Sequence, residues 1–378
     1  MNDAAARPAR YTAPRMAAPD SIDFEALAGI GWREADCATL PAGLAPGSRV
    51  ARVIAQHRSG YEVHDGAAAF AVQAPAQMVR AGVAPRSRPA VGDWVVLAPS
   101  PPPLIETLLP RRTLLARAAA GESHREQPIA ANIDVVLVVC GLDHDYNPRR
   151  IERYLVLVQG SGALPVVVLT KRDLCPEAAE RQAEIERMAG PGLAVLCVNA
   201  KDPQTVEQLR PYLGPGVTAV LVGSSGAGKS TLTNRLLGIE KQRTNDVRGN
   251  DSRGRHTTTH RALIPLPTGA CLIDTPGMRE IKLTGDEDLA ETHFADIEAL
   301  GTQCRFSDCQ HRTEPGCAVL AAVASGELDA VRYAHYEKLR AELMSTRTDP
   351  AAQRQRKAAE KLLGRALGKR LTEKYGSR

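Results

Sequence analysis

The chain reads as a multidomain protein built on an α/β P-loop domain, with a small β-barrel ahead of it and an α-helical, metal-stapled lobe behind. Three observations carry this reading. From Ile129 to about Ile273, near-continuous apolar strands alternate with helical stretches, the pattern of a parallel sheet covered on both faces. A glycine-rich run, Gly223 to Ser230, leaves one of those strands and opens a helix. Three cysteines and a histidine fall between Cys304 and Cys317, too close together for chance in a chain whose other cysteines are scattered.

Composition fits this class and excludes others. The 378 residues are 43% hydrophobic and 24% charged, an ordinary globular balance that rules out a wholly disordered chain. No run of 18 apolar residues occurs, so neither a transmembrane helix nor a membrane partner is expected. The first twenty residues carry arginines without an apolar core, unlike a secretory leader. A cytoplasmic monomer is expected, and in that compartment clustered cysteines point to metal before disulfides.

Taken in order, residues 1–47 are expected to be a flexible extension. Arg49 to Leu97 holds short alternating strands and an Asp65-Gly66 turn, which predicts a barrel over 48–118. Pro101-Pro102-Pro103 interrupts it, and the arginine-bearing stretch Leu108 to Gln127 reads as a loop or linker. The P-loop domain is expected over 127–285, with strands at 134–139, 165–169, 193–198, 217–222, 261–265 and 270–273. Its helices begin near Pro148, Pro176, Gln204 and Gly228. A helical lobe follows over 286–346 and a basic tail over 347–378.

Gly223-Ser224-Ser225-Gly226-Ala227-Gly228-Lys229-Ser230-Thr231 matches G-x-x-x-x-G-K-[ST] between a buried strand and a helix. Glycines let the backbone wrap closely and aim successive N–H groups at anionic oxygens, and the helix N-terminus adds partial positive charge. Lys229 is suited to the β- and γ-phosphates and the Ser230 hydroxyl to Mg²⁺. Asp274-Thr275-Pro276-Gly277 ends a later strand. Its acid would hold Mg²⁺ through water, and the Gly277 N–H would touch the γ-phosphate. Between the two lies Arg253-Gly254-Arg255-His256-Thr257-Thr258-Thr259. Thr258, or Thr257 beside it, is suited to ligate Mg²⁺ and sense the γ-phosphate. Many GTPases orient water with a glutamine after this D-x-x-G; here Met278 stands there, and His256 is the nearest imidazole for that task.

The base is read elsewhere. Thr170-Lys171-Arg172-Asp173 and Asn199-Ala200-Lys201 each follow a strand, at the carboxyl ends where ligands of such sheets bind. The Asp173 carboxylate matches the N1–H and N2–H₂ donors of guanine and leaves adenine unpaired. Lys171 supplies a stem to lie over the base, and a backbone N–H of the second loop reaches O6. Both loops precede the phosphate loop, the reverse of the usual GTPase order. This permutation makes the γ-phosphate-sensing segments, about 245 to 285, lead directly into the C-terminal lobe.

Cys304, Cys309, His311 and Cys317 offer three thiolates and one imidazole, a closed tetrahedral set suited to structural Zn²⁺; spacing alone also admits unmetallated thiols. Residues 350–378 carry nine basic and two acidic side chains, a net +7, while the whole chain carries +5. The remainder is therefore slightly acidic, and the basic excess is a concentrated tail suited to nucleic-acid phosphates. Tyr61, Phe70 and Trp94 are stacking candidates on the barrel, with Trp94 better placed as core.

Together the order TKRD, NAK, GSSGAGKST, GRHTTT, DTPG and the Cys/His cluster resemble the circularly permuted ribosome-assembly GTPases, specifically the ribosome small-subunit-dependent GTPase A family, over roughly residues 48 to 345. The resemblance implies an OB-fold barrel, one structural zinc on the four cluster residues, and a catalytic role for His256. It further implies Mg²⁺-dependent hydrolysis of GTP to GDP, and binding to the small ribosomal subunit and its rRNA during late maturation, with hydrolysis triggering release. A GTP-gated RNA-binding module, or an NTPase acting on another RNA, is the alternative. One departure is Thr170, where many GTPases have Asn; a loop-bracing amide is lost there, and modest guanine affinity is expected.

Overall fold

The computed structural model describes residues 22–57, 59–80, 83–119, 122–190, 192–238, 262–275 and 294–347. His256, Thr257, Thr258, Gly277, Met278 and the basic stretch from 348 onward lie outside the described residues.

Residues 22–47 are ordered on the barrel. Helix α1 (Phe24–Ala28) is capped by the Asp23 carboxylate, which accepts from the Ala26 N–H at 2.9 Å. Leu27, Ile30 and Trp32 are buried, and Trp32 meets Trp94 edge-on at 4.7 Å between ring centroids. The expected flexible extension is thus corrected over 22–47. Ile22, Phe24, Leu27, Ile30 and Trp32 form an apolar set that covers the outer face of the barrel.

The barrel has β1 (Arg49–His57), β2 (Gly60–His64), β3 (Ala69–Val72), then α2 (Ala76–Val79), β4 (Trp94–Leu97) and β5 (Ile105–Leu108). β1 pairs antiparallel with both β2 and β4, β3 joins β2, and β5 joins β4. A parallel bridge from Gln73 to Leu104, with Ile105 N–H donating to Gln73 O at 2.9 Å, brings the two ends of this path together. Alternation sorts the side chains. Ala51, Val53, Val63, Val95 and Leu97 fill the interior, and Val50, Trp94 and Val96 face the N-terminal segment. Tyr61 and Trp94 are buried, which removes them as stacking residues; Phe70 is half-buried with the Arg49 guanidinium 4.5 Å over its ring.

Residues 108–127 are not a linker. β6 (Leu114–Ala119) and β7 (Glu122–Ala131) form an antiparallel hairpin. Its base carries Leu115 and Ile129 into the core, which the arginines of the stretch obscured in sequence. Two of those arginines are structural. Arg111 forks onto the buried Asp93 carboxylate at 2.7 and 2.6 Å, and Arg112 reaches Asp36 and Asp134, both at 3.2 Å.

The P-loop domain contains β8 (Val135–Gly141), α3 (Pro148–Gln159), β9 (Leu164–Thr170), α4 (Ala178–Ala189), β10 (Ala194–Cys197), α5 (Pro203–Val206), β11 (Thr218–Val222), α6 (Lys229–Leu236), β12 (Ala262–Pro265) and β13 (Cys271–Asp274). The sheet order is β10-β9-β8-β11-β13-β12; the first five are parallel and β12 is antiparallel to β13. The helix expected from Gln204 holds α-geometry for one turn only and continues as 3₁₀ turns containing Pro211. Alternate strand residues serve opposite cores. Val136 and Val138 meet α3 and α4, while Val135, Leu137 and Val139 meet the side of α5 and α6. β12 also pairs with β1 of the barrel at Ala262 and Ala55, so the two sheets are one.

The C-terminal lobe comprises α7 (Ala295–Gly301), α8 (Ala318–Ser325) and α9 (Ala330–Arg347). Phe294, Ile297, Val319, Tyr336, Leu339 and Leu343 extend the apolar core that begins under α3 and α4.

Candidate nucleotide site and metal cluster

The phosphate loop is built between the end of β11 and the start of α6. Gly223, at φ +146°, has the Val139 carbonyl where a Cβ would stand, 2.1 Å away, so no other residue fits. Gly228 at φ +92° opens α6 and backs onto Thr170. The Lys229 ammonium donates to the Gly223 and Ser224 carbonyls at 2.7 and 2.5 Å, folded across its own loop. Burial lowers it below the ordinary lysine range, against the opposing pull of Asp274 and Asp145. Asp274 ends β13 beside this loop, and Thr275 fixes that end by donating to the Leu221 carbonyl at 2.7 Å. Ser225, Gly226 and Ser230 are exposed along the loop, Thr231 is half-buried, and Ala227 is buried.

The base loops meet the phosphate loop from across β8. Thr170 is fully buried at the end of β9, and its hydroxyl donates to the Ala227 carbonyl at 2.5 Å. The amide expected of many GTPases is absent, and the hydroxyl braces the loops in its place because Gly228, lacking a Cβ, lets them approach. Lys171 adopts the left-handed conformation at φ +60° and places its ammonium 2.5 Å from Asp143 Oδ2. Arg172 and Asp173 form a 3₁₀ turn and are exposed. The Arg172 N–H donates to the Val198 carbonyl at 3.3 Å, joining the two base loops. In the second loop the Asn199 side chain accepts from the Lys201 N–H at 3.0 Å, and the Lys201 carbonyl accepts from Arg235 of α6 at 2.6 Å. Ala200 is buried between them.

Two acids that sequence reading passed over stand in the middle. Asp143 pairs with Lys171, and Asp145 accepts the Ser224 hydroxyl and pairs with Arg150 at 2.6 Å. Their signal was positional: they follow β8 at the same carboxyl edge as every other motif of the site. Burial pulls the Asp143 carboxyl up, but its bonds from Lys171 and from the Asp145 N–H prevail and hold it below the usual carboxylate range.

The second cluster is separate. Cys304, Cys309, His311 and Cys317 bring one ligand atom each to within 4.8 Å of one another. Cys304 Sγ and Cys317 Sγ are 3.8 Å apart, and His311 Nδ1 is 3.5 and 3.4 Å from them. A tetrahedral ion with zinc-like bonds of about 2.3 Å to sulfur and about 2.0 Å to nitrogen sets these edges at about 3.8 and about 3.5 Å. The donor set and its dimensions therefore fit such an ion. His311 is held in the left-handed conformation, φ +60°, while Tyr333 of α9 donates to its carbonyl at 2.5 Å.

Fold and site define a P-loop GTPase whose base-reading loops precede its phosphate loop. Comparison with known proteins agrees. Residues 108–284 match the RsgA GTPase family. The protein named small ribosomal subunit biogenesis GTPase RsgA from Xanthomonas campestris pv. campestris (strain B100) is 54% identical over 356 residues, covering 93% of this chain and 96% of its own. Its namesake from Xanthomonas axonopodis pv. citri (strain 306) is 54% identical over 357 residues, at the same coverage. Among solved structures, YjeQ from Thermotoga maritima aligns with a TM-score of 0.56 and 28% identity, over 79% of this chain and 99% of that one. YloQ, described as a circularly permuted GTPase, aligns at 0.54 over 82% and 100%, with 24% identity, and bears on the fold alone. The chain belongs to the RsgA GTPase family.

Proposed function

We propose that this protein is a Mg²⁺-dependent GTPase that binds the small ribosomal subunit and acts in its late maturation, hydrolysis of GTP triggering its release. The observation that supports this most is the meeting of three loops at one sheet edge: Gly223–Thr231, Thr170–Asp173 and Asn199–Lys201, cross-braced by Thr170 and Arg172.

Each residue then has a task. Asp173 accepts the guanine N1–H and N2–H₂, the Lys171 stem lies over the base, and the Ala200 region supplies an N–H to O6. Backbone N–H groups of the phosphate loop take the β-phosphate, and Lys229 exchanges its carbonyl partners for β- and γ-oxygens. Ser230 and Thr258 would hold Mg²⁺ directly and Asp274 through water; bound there, the ion neutralises charge on the β- and γ-phosphates. The Gly277 N–H touches the γ-phosphate and His256 orients the attacking water. Cys304, Cys309, His311 and Cys317 hold one structural zinc. The barrel over 48–118, in the order of an OB-fold, and the basic tail over 347–378 contact rRNA, the tail through phosphates. The protein works as a cytoplasmic monomer.

Hydrolysis of GTP and of ATP, each measured with and without purified small subunits, tests the reading. GTP-selective turnover, slow alone and stimulated by the subunit, is expected. GTP turnover indifferent to the subunit would leave the GTPase and remove the ribosomal role; equal turnover of ATP would remove the assignment of Asp173.

A further inference from the structure

The acidic loop 142–147 touches both halves of the nucleotide site, though none of its residues matches a nucleotide motif. Asp145 is the pivot. One carboxylate oxygen accepts the Ser224 hydroxyl of the phosphate loop, and the other pairs with Arg150 in the first turn of α3 at 2.6 Å. Its N–H donates to Asp143 Oδ1 at 3.1 Å, and the other oxygen of Asp143 holds Lys171. The side chain is only 15% exposed. A carboxylate at this place would have a cost, because it would oppose bound phosphates of the same sign through space. What it provides is order. Ser224 follows Gly223 at the start of the loop, and its carbonyl is one of the two that Lys229 contacts. Fixing the Ser224 side chain fixes the peptide that aims the loop at the β-phosphate.

We propose that Asp145 is a positioning residue for GTP, acting through Ser224 to hold the phosphate loop in its binding conformation. This rests on the reading of the site as a GTP site. A carboxylate that merely neighbours the loop would act independently of Ser224, and one that acts through it cannot.

The test is a double-variant cycle in the full-length protein, with Asp145→Asn, Ser224→Ala and the pair. GTP and GDP dissociation constants, single-turnover hydrolysis and thermal unfolding are measured for each. Asp145→Asn should weaken GTP binding about tenfold, the effect of a charge-assisted hydrogen bond, with the unfolding midpoint nearly unmoved. The pair should bind no more weakly than Asp145→Asn alone, and saturating GTP should restore most of the single-turnover rate. Strictly multiplicative losses in the pair, or unchanged affinity in Asp145→Asn, would overturn the proposal. A loss of affinity matched by a fall in the unfolding midpoint would also overturn it, in favour of a fold-stabilising carboxylate. Unaltered protein that failed to bind GTP at all would instead refute the GTP reading beneath it.

Discussion

The GTPase domain has two junctions, and they are built differently. On the barrel side the backbone itself is continuous, β12 pairing with β1. There the Arg52 guanidinium, fully buried, donates to the Ile30, Gly92 (3.3 Å) and Asn132 (3.3 Å) carbonyls and to the Thr218 hydroxyl at 2.9 Å. It also lies 5.0 Å from the Trp94 ring. One cation thus ties the N-terminal segment, the barrel, the end of the hairpin and the root of the phosphate-loop strand. Burial pulls it down to about 10, still charged at neutral pH. On the lobe side the polar contacts are side chain to side chain. His335 of α9 lies 2.5 Å from Glu152 of α3, Arg149 is 3.0 Å from the same carboxylate, and Arg153 pairs with Glu342. Beside them opens a cavity of 680 Å³ lined by Arg149, Arg187, Asp296, Asp329 and Arg332. A junction of backbone bonds and a buried cation has one register. The lobe junction combines these long polar side chains and the cleft with the apolar core it shares with α3 and α4. The contrast makes the barrel junction a frame of strand pairing and a buried cation, and the lobe junction one of side-chain contacts.

The sharpest way to separate the two is removal of the zinc proposed at the Cys/His cluster. Structural zinc is worth about 10 kcal/mol of apparent folding free energy in small domains. Chelation, or Cys317→Ser, should therefore expose 294–347 to limited proteolysis while the barrel and GTPase domain survive as one protease-resistant, GTP-binding piece. A native protein that elemental analysis finds without zinc, or a GTPase domain that unfolds together with the lobe, would break the division. Next in size is the frame itself. Arg52→Met removes the donor from the buried Ile30 and Asn132 carbonyls, leaves Gly92 O with the Asn132 amide alone, and should cost about 3–5 kcal/mol in denaturant unfolding. Glu152→Gln on the lobe side should cost about 1–2 kcal/mol, since the amide oxygen can still accept from Arg149 while the charge facing His335 is lost. Equal costs at Arg52 and Glu152 would erase the contrast.

Much of the division was visible beforehand, and its gaps have physical causes. The strand-helix alternation, the glycine-rich loop and the close spacing of Cys304, Cys309, His311 and Cys317 are local patterns; the loop does join β11 to α6, and the four side chains do converge. The N-terminal segment was misread because Phe24, Leu27, Ile30 and Trp32 are spread over nine residues and mean something only against Trp94, which is remote in sequence. The hairpin was misread because Arg111, Arg112 and Arg117 dominate its composition, although Asp93, Asp36 and Asp134 neutralise the first two. Arg52 lies in an alternating strand that gives it no distinguishing mark. Nothing in a one-dimensional pattern distinguishes an arginine that meets water from one that meets three carbonyls.

The smallest effect belongs to a position that should leave both junctions untouched. Thr170 joins the base loop to the phosphate loop by one buried hydrogen bond, from its hydroxyl to the Ala227 carbonyl. Valine has nearly the same shape and no donor. Thr170→Val should therefore leave the Ala227 carbonyl unsatisfied, at a cost of about 1 kcal/mol and a several-fold rise in the GDP dissociation constant. Proteolysis of the lobe and denaturant unfolding of the frame should be nearly unchanged. Thr170→Asn tests the same bond from the other side. Gly228 leaves the Thr170 hydroxyl 3.2 Å from where a Cβ would stand, so there is little room for a longer side chain. Asparagine should then bind guanine nucleotide no better than threonine, even though it restores the residue found in many GTPases. Tighter binding in Thr170→Asn would show that the loops separate enough to admit an amide, and that the close approach at Gly228 is not what lets threonine serve as the brace.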